Sequence, residues 1–176
     1  FKLKQINEKA HILKNGMTCI DLGSSPGSWS QFLSREMNGD VQIFAVDLIP
    51  MDKIQSVNFM QGDFTDEKFY SNLLETIKNK EVDLVMSDMA PNISGIKVSD
   101  QAKSIYLAEL ARSIAIDTLK VRGNFVCKLF HGQGMDQFVK ETREQFEKVN
   151  LFKPPASRKD SSEIFLIAKH FYGKSV

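Results

Sequence analysis

Met17-Thr18-Cys19-Ile20-Asp21-Leu22-Gly23-Ser24-Ser25-Pro26-Gly27-Ser28-Trp29 decides the fold. Its first six residues are a short apolar run stopped by glycine, which reads as a buried strand. Gly23, Pro26 and Gly27 break the chain, and residues 28–37 then return to helical spacing. A strand that runs into a glycine turn and a helix is the opening of a strand–helix–strand unit. The glycines let the backbone come close to a ligand at the start of that helix. Their spacing is G-x-x-x-G, so the turn is neither the three-glycine dinucleotide fingerprint nor a phosphate loop ending in Gly-Lys-Ser/Thr. Asp21 stands just before the turn. An acid there repels a pyrophosphate and suits an ammonium or sulfonium.

The rest of the chain repeats the unit. Strands are expected at 42–46, 57–60, 82–86, 125–130, 149–152 and 164–168. Helices are expected at 2–13, ended by Asn15-Gly16, and at 101–120, with Leu107, Leu110, Ala111 and Ile114 inward. Another is expected at 135–147, and one is capped by Thr65, with Phe69, Leu73, Leu74 and Ile77 on its apolar face. All five prolines fall between these elements. Alternating strands and helices predict a Rossmann-like α/β fold, a mostly parallel sheet with helices on both faces. The last two strands are too close for a helical crossover, so they form an antiparallel hairpin at the sheet edge. The 176 residues make one domain, 1–176.

Composition narrows the class. Apolar residues are 42% and charged residues 26%, enough to bury a core and too much for a disordered chain. Two cysteines, Cys19 and Cys127, both in apolar runs, do not make a disulfide scaffold. No apolar stretch approaches the roughly 18 residues of a membrane helix. Phe1-Lys2-Leu3-Lys4 does not start a secretory signal, so a cytoplasmic protein is expected. Net charge is +1, but it is unevenly spread: +3 over residues 1–16, −7 over 17–100 and +5 over 101–176. That distribution suits a chain whose acidic half holds a small cationic or hydroxyl-rich ligand while its two ends meet a polyanion.

The acids fall where a ligand would need them. Asp47 ends the second strand, where a doubly wound sheet places the acid that binds ribose hydroxyls. Asp63 ends the third, where it can accept from an exocyclic amine. With Asp21 and the glycine turn they describe a site for a positively charged nucleoside without phosphate, S-adenosylmethionine. A second group carries chemistry. Lys128 lies inside Phe125-Val126-Cys127-Lys128-Leu129-Phe130, and an inward lysine in an apolar strand is costly unless paired. Asp88, at the end of a neighbouring strand, and Glu163, at the opening of the last one, are its candidate partners. A lysine between two carboxylates can orient a hydroxyl, and acts as a base only after losing its proton. His11, His131 and His170 are isolated, and no Cys/His spacing suggests a metal.

Phe1-Lys2-Leu3, the turn from Asp21 to Trp29, Asp47-Leu48-Ile49-Pro50-Met51, Gln61-Gly62-Asp63-Phe64, Ser87-Asp88-Met89-Ala90-Pro91-Asn92, Phe125-Val126-Cys127-Lys128 and Ser162-Glu163 together resemble the FtsJ/RrmJ (RlmE) family of 2′-O-ribose RNA methyltransferases. The resemblance runs essentially end to end. It implies a Lys-Asp-Lys-Glu catalytic tetrad around the target 2′-hydroxyl, at Lys2, Asp88, Lys128 and Glu163. Phe-Lys-Leu is what selects Lys2 over Lys4. It implies cofactor contacts at Gly23, Gly27, Trp29, Asp47, Asp63 and Asp88. S-adenosylmethionine would be the methyl donor and S-adenosylhomocysteine the product. The implied reaction is in-line methyl transfer without a metal. The implied substrate is a uridine of 23S rRNA in the large ribosomal subunit, modified by a monomer with no obligate protein partner and no membrane contact. The family also carries a basic segment before Phe-Lys-Leu that is expected upstream of this sequence. Ser24-Ser25, Ser28 and Cys127 depart mildly from the commonest bacterial pattern.

Other classes stay open at this point. A nicotinamide dehydrogenase would share the sheet but lacks its third glycine here. A non-enzymatic RNA-binding module could keep the fold, and a 2′-O-methyltransferase of tRNA or an mRNA cap could keep the chemistry.

Overall fold

The fold is described over residues 1–174 by a computed structural model. Among the described residues, seven strands form one sheet: β1 (Met17–Leu22), β2 (Val41–Asp47), β3 (Val57–Gln61), β4 (Val82–Ser87), β5 (Leu119–Phe130), β6 (Phe146–Phe152) and β7 (Glu163–Phe171). Five helices cover it: α1 (Lys2–Ala10), α2 (Ser28–Glu36), α3 (Glu67–Ile77), α4 (Lys97–Thr118) and α5 (Met135–Arg143). The spatial order is β3-β2-β1-β4-β5-β7-β6. Pairings from β3 through β5 are parallel, and β7 runs antiparallel to both β5 and β6. The α/β class and the hairpin at the sheet edge both match the sequence reading. The chain builds outward from β1 to β3, then returns to place β4 on the other side of β1. Ligands of open sheets bind at such a reversal, beyond the strand carboxyl ends. Here those ends are Gly23 and Asp88.

Period-2 alternation divides the core into two layers. Cys19, Ile43, Ala45, Leu84, Met86, Val126, Phe165 and Ile167 face α1 and α2, whereas Ile20, Leu22, Phe44, Val46, Val85, Phe125, Cys127 and Leu166 face α3, α4 and α5. Strands covered on both faces are apolar throughout, which is why they stand out in the sequence. The same alternation puts Lys128, two residues beyond Val126, on the α1/α2 face.

Four expectations are corrected, each by a local or tertiary interaction. The first helix ends at Ala10, not at Asn15-Gly16. The Asn7 side chain accepts from the Ile12 and Leu13 amides at 2.9 and 3.0 Å, and His11 takes a left-handed conformation at φ 52°. Thr65 does not cap α3. Its hydroxyl donates to Asp63 Oδ1 at 2.6 Å, and Asp66 occupies the cap position. Helix α4 begins at Lys97, and its buried face is Ser104, Ala108, Ala111, Ile114 and Ala115, with Leu107 and Leu110 only partly buried. Small side chains there let α4 lie close against β4 and β5. Helix α5 stops at Arg143, because Phe146 is drawn into β6, where its ring packs between Phe125 and Phe171 at 6.2 and 5.3 Å.

Candidate active site

The sheet register assembles the tetrad positions. Lys128 lies opposite Phe165 and Phe130 opposite Glu163, so Lys128 and Glu163 are diagonal neighbours on one face. Ser87 pairs with Cys127, which sets Asp88 beside Lys128. Lys2, in the first turn of α1, reaches in from above, because Leu3, Ile6 and Ala10 bury that helix on the same face. A chain of alternating charge results. Lys2 Nζ donates to both carboxylate oxygens of Glu163 at 2.8 and 3.1 Å. Lys128 Nζ lies 3.8 Å from Glu163 Oε1 and forms an ion pair with Asp88 Oδ1 at 2.9 Å. The Lys128 and Glu163 side chains are 12% and 9% exposed, so this pairing is shielded from water on most sides. Buried charges are tolerated when each meets an opposite one, and here they alternate along the row. A hydroxyl placed on Lys128 would meet a donor held by two acceptors.

The positions expected to contact the cofactor lie at the adjoining strand ends. Asp47 Oδ2 accepts from the Ser25 amide at 2.8 Å and Oδ1 from the Ile49 amide at 3.0 Å, so Asp47 ties the glycine turn to the end of β2. Each oxygen keeps a lone pair for a ligand hydroxyl. Asp63 is exposed; its Oδ1 takes the amide and hydroxyl of Thr65, which leaves Oδ2 available. Gly23 has φ +71°, and a Cβ there would stand 2.4 Å from Met89 Cγ. Gly27, at φ +114°, approaches Ile54 and Met51, so its closeness serves packing within the protein. Trp29 is 8% exposed, with its ring against Phe165 at 5.7 Å. Its side chain is committed to the core, which leaves its backbone N–H, in the unpaired first turn of α2, to offer a ligand.

Asp21 is buried in β1, and Ser30 Oγ donates to its Oδ2 at 2.7 Å. Burial pushes its carboxyl up to about 7, the Ser30 bond opposes this, and the nearby charges of Asp88 and Asp47 add to the rise. It therefore does not present the open carboxylate that its place before the turn suggested. Ser24 was also missed as a candidate. Its Oγ is buried and has no hydrogen-bond partner among the described residues. A buried unpaired hydroxyl beside a close-approach glycine and two strand-end acids fits a ligand with hydroxyl, amine and carboxylate groups. The donors and acids thus suit S-adenosylmethionine.

Two basic segments far apart in sequence meet beside the tetrad. Gln5 Oε1 accepts from the Ala156 amide at 2.8 Å, joining α1 to the loop before β7. Lys153 is bonded within the protein: Nζ donates to the carbonyls of Ser161 and Glu163 at 2.8 and 2.7 Å and to Ser157 Oγ at 3.3 Å. It shapes the loop that carries Glu163, and it is exposed like Lys148, Arg158 and Lys159, which belong to the same basic stretch.

No helix among the described residues is long and apolar enough to cross a membrane. The family model for FtsJ-like methyltransferases matches residues 1–171. The ribosomal RNA large subunit methyltransferase E of Cellvibrio japonicus is 45% identical over 98% of this chain and 82% of its own length. The protein of the same name from Pseudomonas aeruginosa is 46% identical over 99% of this chain and 84% of its own length. A crystal structure of a Plasmodium falciparum protein described as a ribosomal RNA methyltransferase aligns over 98% of this chain and 96% of that one, with a TM-score of 0.84 at 26% identity. Human methyltransferase-like protein 13, solved with S-adenosylhomocysteine, aligns over 99% of this chain and 84% of that one, with a TM-score of 0.69. At 14% identity it speaks for the fold alone.

Proposed function

The chain belongs to the FtsJ-like methyltransferase family, and from that premise we propose that it methylates a ribose 2′-hydroxyl of 23S rRNA, through Lys2, Asp88, Lys128 and Glu163. It is an S-adenosylmethionine-dependent RNA methyltransferase. The observation that carries the residue assignment is the row Lys2–Glu163–Lys128–Asp88, set at the strand ends beside the glycine turn.

S-adenosylmethionine, when bound, supplies a methyl group activated by its sulfonium. Gly23, Ser24, Asp47, Asp63 and the amides at the start of α2 would hold it. Lys128 Nζ orients the 2′-oxygen and, in its neutral form, takes the hydroxyl proton. The ammonium so formed is received by Asp88 and Glu163, which are already placed around it, so little reorganisation is needed. Lys2, held by Glu163, stabilises the developing negative charge on the ribose oxygen or fixes the neighbouring phosphate. Asp88 borders both halves of the site and sets Lys128 relative to the cofactor crevice. All four side chains come from one chain, which supports a monomer as the working unit, and the ribosomal substrate supports a cytoplasmic one.

The test is transfer of labelled methyl groups from S-adenosylmethionine to unmodified large ribosomal subunits, free rRNA and tRNA, followed by mapping of the modified ribose. A single 2′-O-methylated position in 23S rRNA is expected. Label on a base, or on tRNA alone, would overturn the reading.

A further inference from the structure

Two cavities open on either side of the stretch that leads into Glu163, and Ser161 lines both. They differ in chemistry. One, of about 540 Å³, is polar: Lys2 and Arg158 offer donors, while Asp160 and Glu163 offer acceptors. The other, of about 640 Å³, is walled by Ala90, Pro91, Ile93 and Val98 on one side and by Phe130 and His131 on the other. Ala90 is two residues from Asp88, and Ser162, also in its wall, precedes Glu163. The apolar cavity is therefore lined by near chain neighbours of two of the tetrad carboxylates.

Nothing in the core explains its apolar wall. Ile93 is 86% exposed and Val98 74% exposed, and neither belongs to a core layer. The wall is nevertheless held in place. Asp100 accepts from the Ser94 hydroxyl at 2.7 Å and from the Ser94 and Gly95 amides, which fixes the loop before α4. The facing wall is clamped by Gln101, whose Nε2 donates to the Phe130 and Gln133 carbonyls at 3.0 and 3.1 Å, and by the His131 amide donating to the Ser162 carbonyl at 3.0 Å. Exposed apolar side chains on braced backbone make a preformed surface for a flat apolar group.

We propose that this groove receives the base of the target nucleotide, while the polar cavity across Ser161 takes its ribose-phosphate. The inference rests on the reading of the tetrad as the 2′-hydroxyl site. A base is joined to the carbon next to the one that bears the 2′-hydroxyl, so a ribose seated on Lys128 must place its base in an adjoining space. Of the two adjoining spaces, one is mainly polar and the other exposes a mainly apolar wall, with Lys97 and Asp100 also in its lining. Proteins hold unstacked RNA bases against aromatic and apolar side chains, and Phe130, His131, Pro91 and Ile93 supply such faces. The groove thus selects an unpaired or extruded nucleotide over one stacked in a helix.

Equilibrium titration of the intact chain with hexauridylate and with a ribose-phosphate hexamer lacking bases tests this. Wild type is expected to prefer hexauridylate by about tenfold, the size of one stacked base. The Ile93→Ser/Val98→Ser double variant, altered at exposed positions, should bind the two oligomers nearly equally while keeping its affinity for S-adenosylhomocysteine. His131→Ala should lose part of the preference. Equal binding of the two oligomers by wild type, strong or absent, overturns the proposal and leaves a protein surface as the groove's occupant. Undiminished preference in the double variant overturns it too. Failure of methyl transfer to rRNA would remove the reading of the tetrad, and it is measured separately.

Discussion

The crevice at β1–β3 and the tetrad at β4, β5 and β7 lie side by side but are built differently. The crevice uses residues 2 to 22 positions apart, joined through backbone amides: Asp47 to Ser25 and Ile49, and Asp63 to Thr65. The tetrad joins Lys2 to Glu163, 161 residues away, through side-chain charges. The crevice, a site of backbone donors, is fixed once β1 and β2 pair and their turns form. A site made from paired charges is correct only when α1, β5 and β7 are all docked. Changes in the crevice should therefore act on affinity, and changes in the tetrad on turnover.

The sharpest way to break this contrast is Lys128→Ala. Loss of orientation and of the proton acceptor should lower single-turnover methyl transfer by on the order of 10²–10⁴-fold, with S-adenosylmethionine affinity little changed. Lys128→Arg should not rescue, since guanidinium does not give up a proton and has a different shape. Removing the lysine also leaves Asp88 and Glu163 facing each other without their shared cation. Thermal stability is to be measured alongside, and a folded variant with near-normal chemistry would remove Lys128 from the mechanism.

Asp47→Ala addresses the other side. It takes the acceptor from the Ser25 and Ile49 amides as well as from the ligand. Cofactor binding by calorimetry should weaken by roughly 1–3 kcal/mol. Turnover at saturating cofactor should change less than in Lys128→Ala. Unchanged affinity would sink the assignment of Asp47.

Asp21 gives a smaller effect that depends on pH. Its carboxyl is pushed up to about 7 in the folded chain by burial, above its ordinary range. The folded state then holds a proton that the unfolded state has lost. Its contribution to stability is present at acidic pH and declines as pH rises from about 4 to 7. Asp21→Asn keeps an acceptor for Ser30 and removes this decline. The melting temperature of the variant relative to wild type should rise across that interval and level off above it. A constant offset would show that Asp21 does not titrate there.

The smallest effect concerns the basic segments. Arg158→Ala, at an exposed position beside Lys2, should reduce the salt dependence of RNA binding by about one unit of slope. Lys153→Ala should instead lower methyl transfer and stability together, because Lys153 holds the loop that ends in Glu163. Equal and purely salt-dependent effects of both would erase the distinction between them.

The strands were legible because a sheet covered on both faces leaves apolar runs bounded by turn residues, and β1 from Met17 to Leu22 was read to the residue. Asp47, Asp63 and Asp88 were legible as acids at strand ends. Lys128 was legible because no packing role suits a lysine there. The boundaries that failed were set by side chains reaching the backbone or by distant partners. Asn7 ends α1 early, Thr65 turns back to Asp63, and Phe146 leaves α5 for its ring neighbours in the sheet. None of these has a periodic signature.

The sequence by itself determined the alternating α/β order, the glycine turn, the acids and the inward lysine, because period and turn chemistry are local properties of the chain. It also carried, through the order of its motifs, the resemblance to a methyltransferase family. Only the tertiary structure decided that Asp21 lies inside, that Trp29 belongs to the core and that Lys153 is bound to carbonyls. It alone brought Lys2 to Glu163 and Lys128 to Asp88. Burial and charge pairing are relations between segments, and they exist only once the sheet register and the docking of α1 have fixed the distances between them.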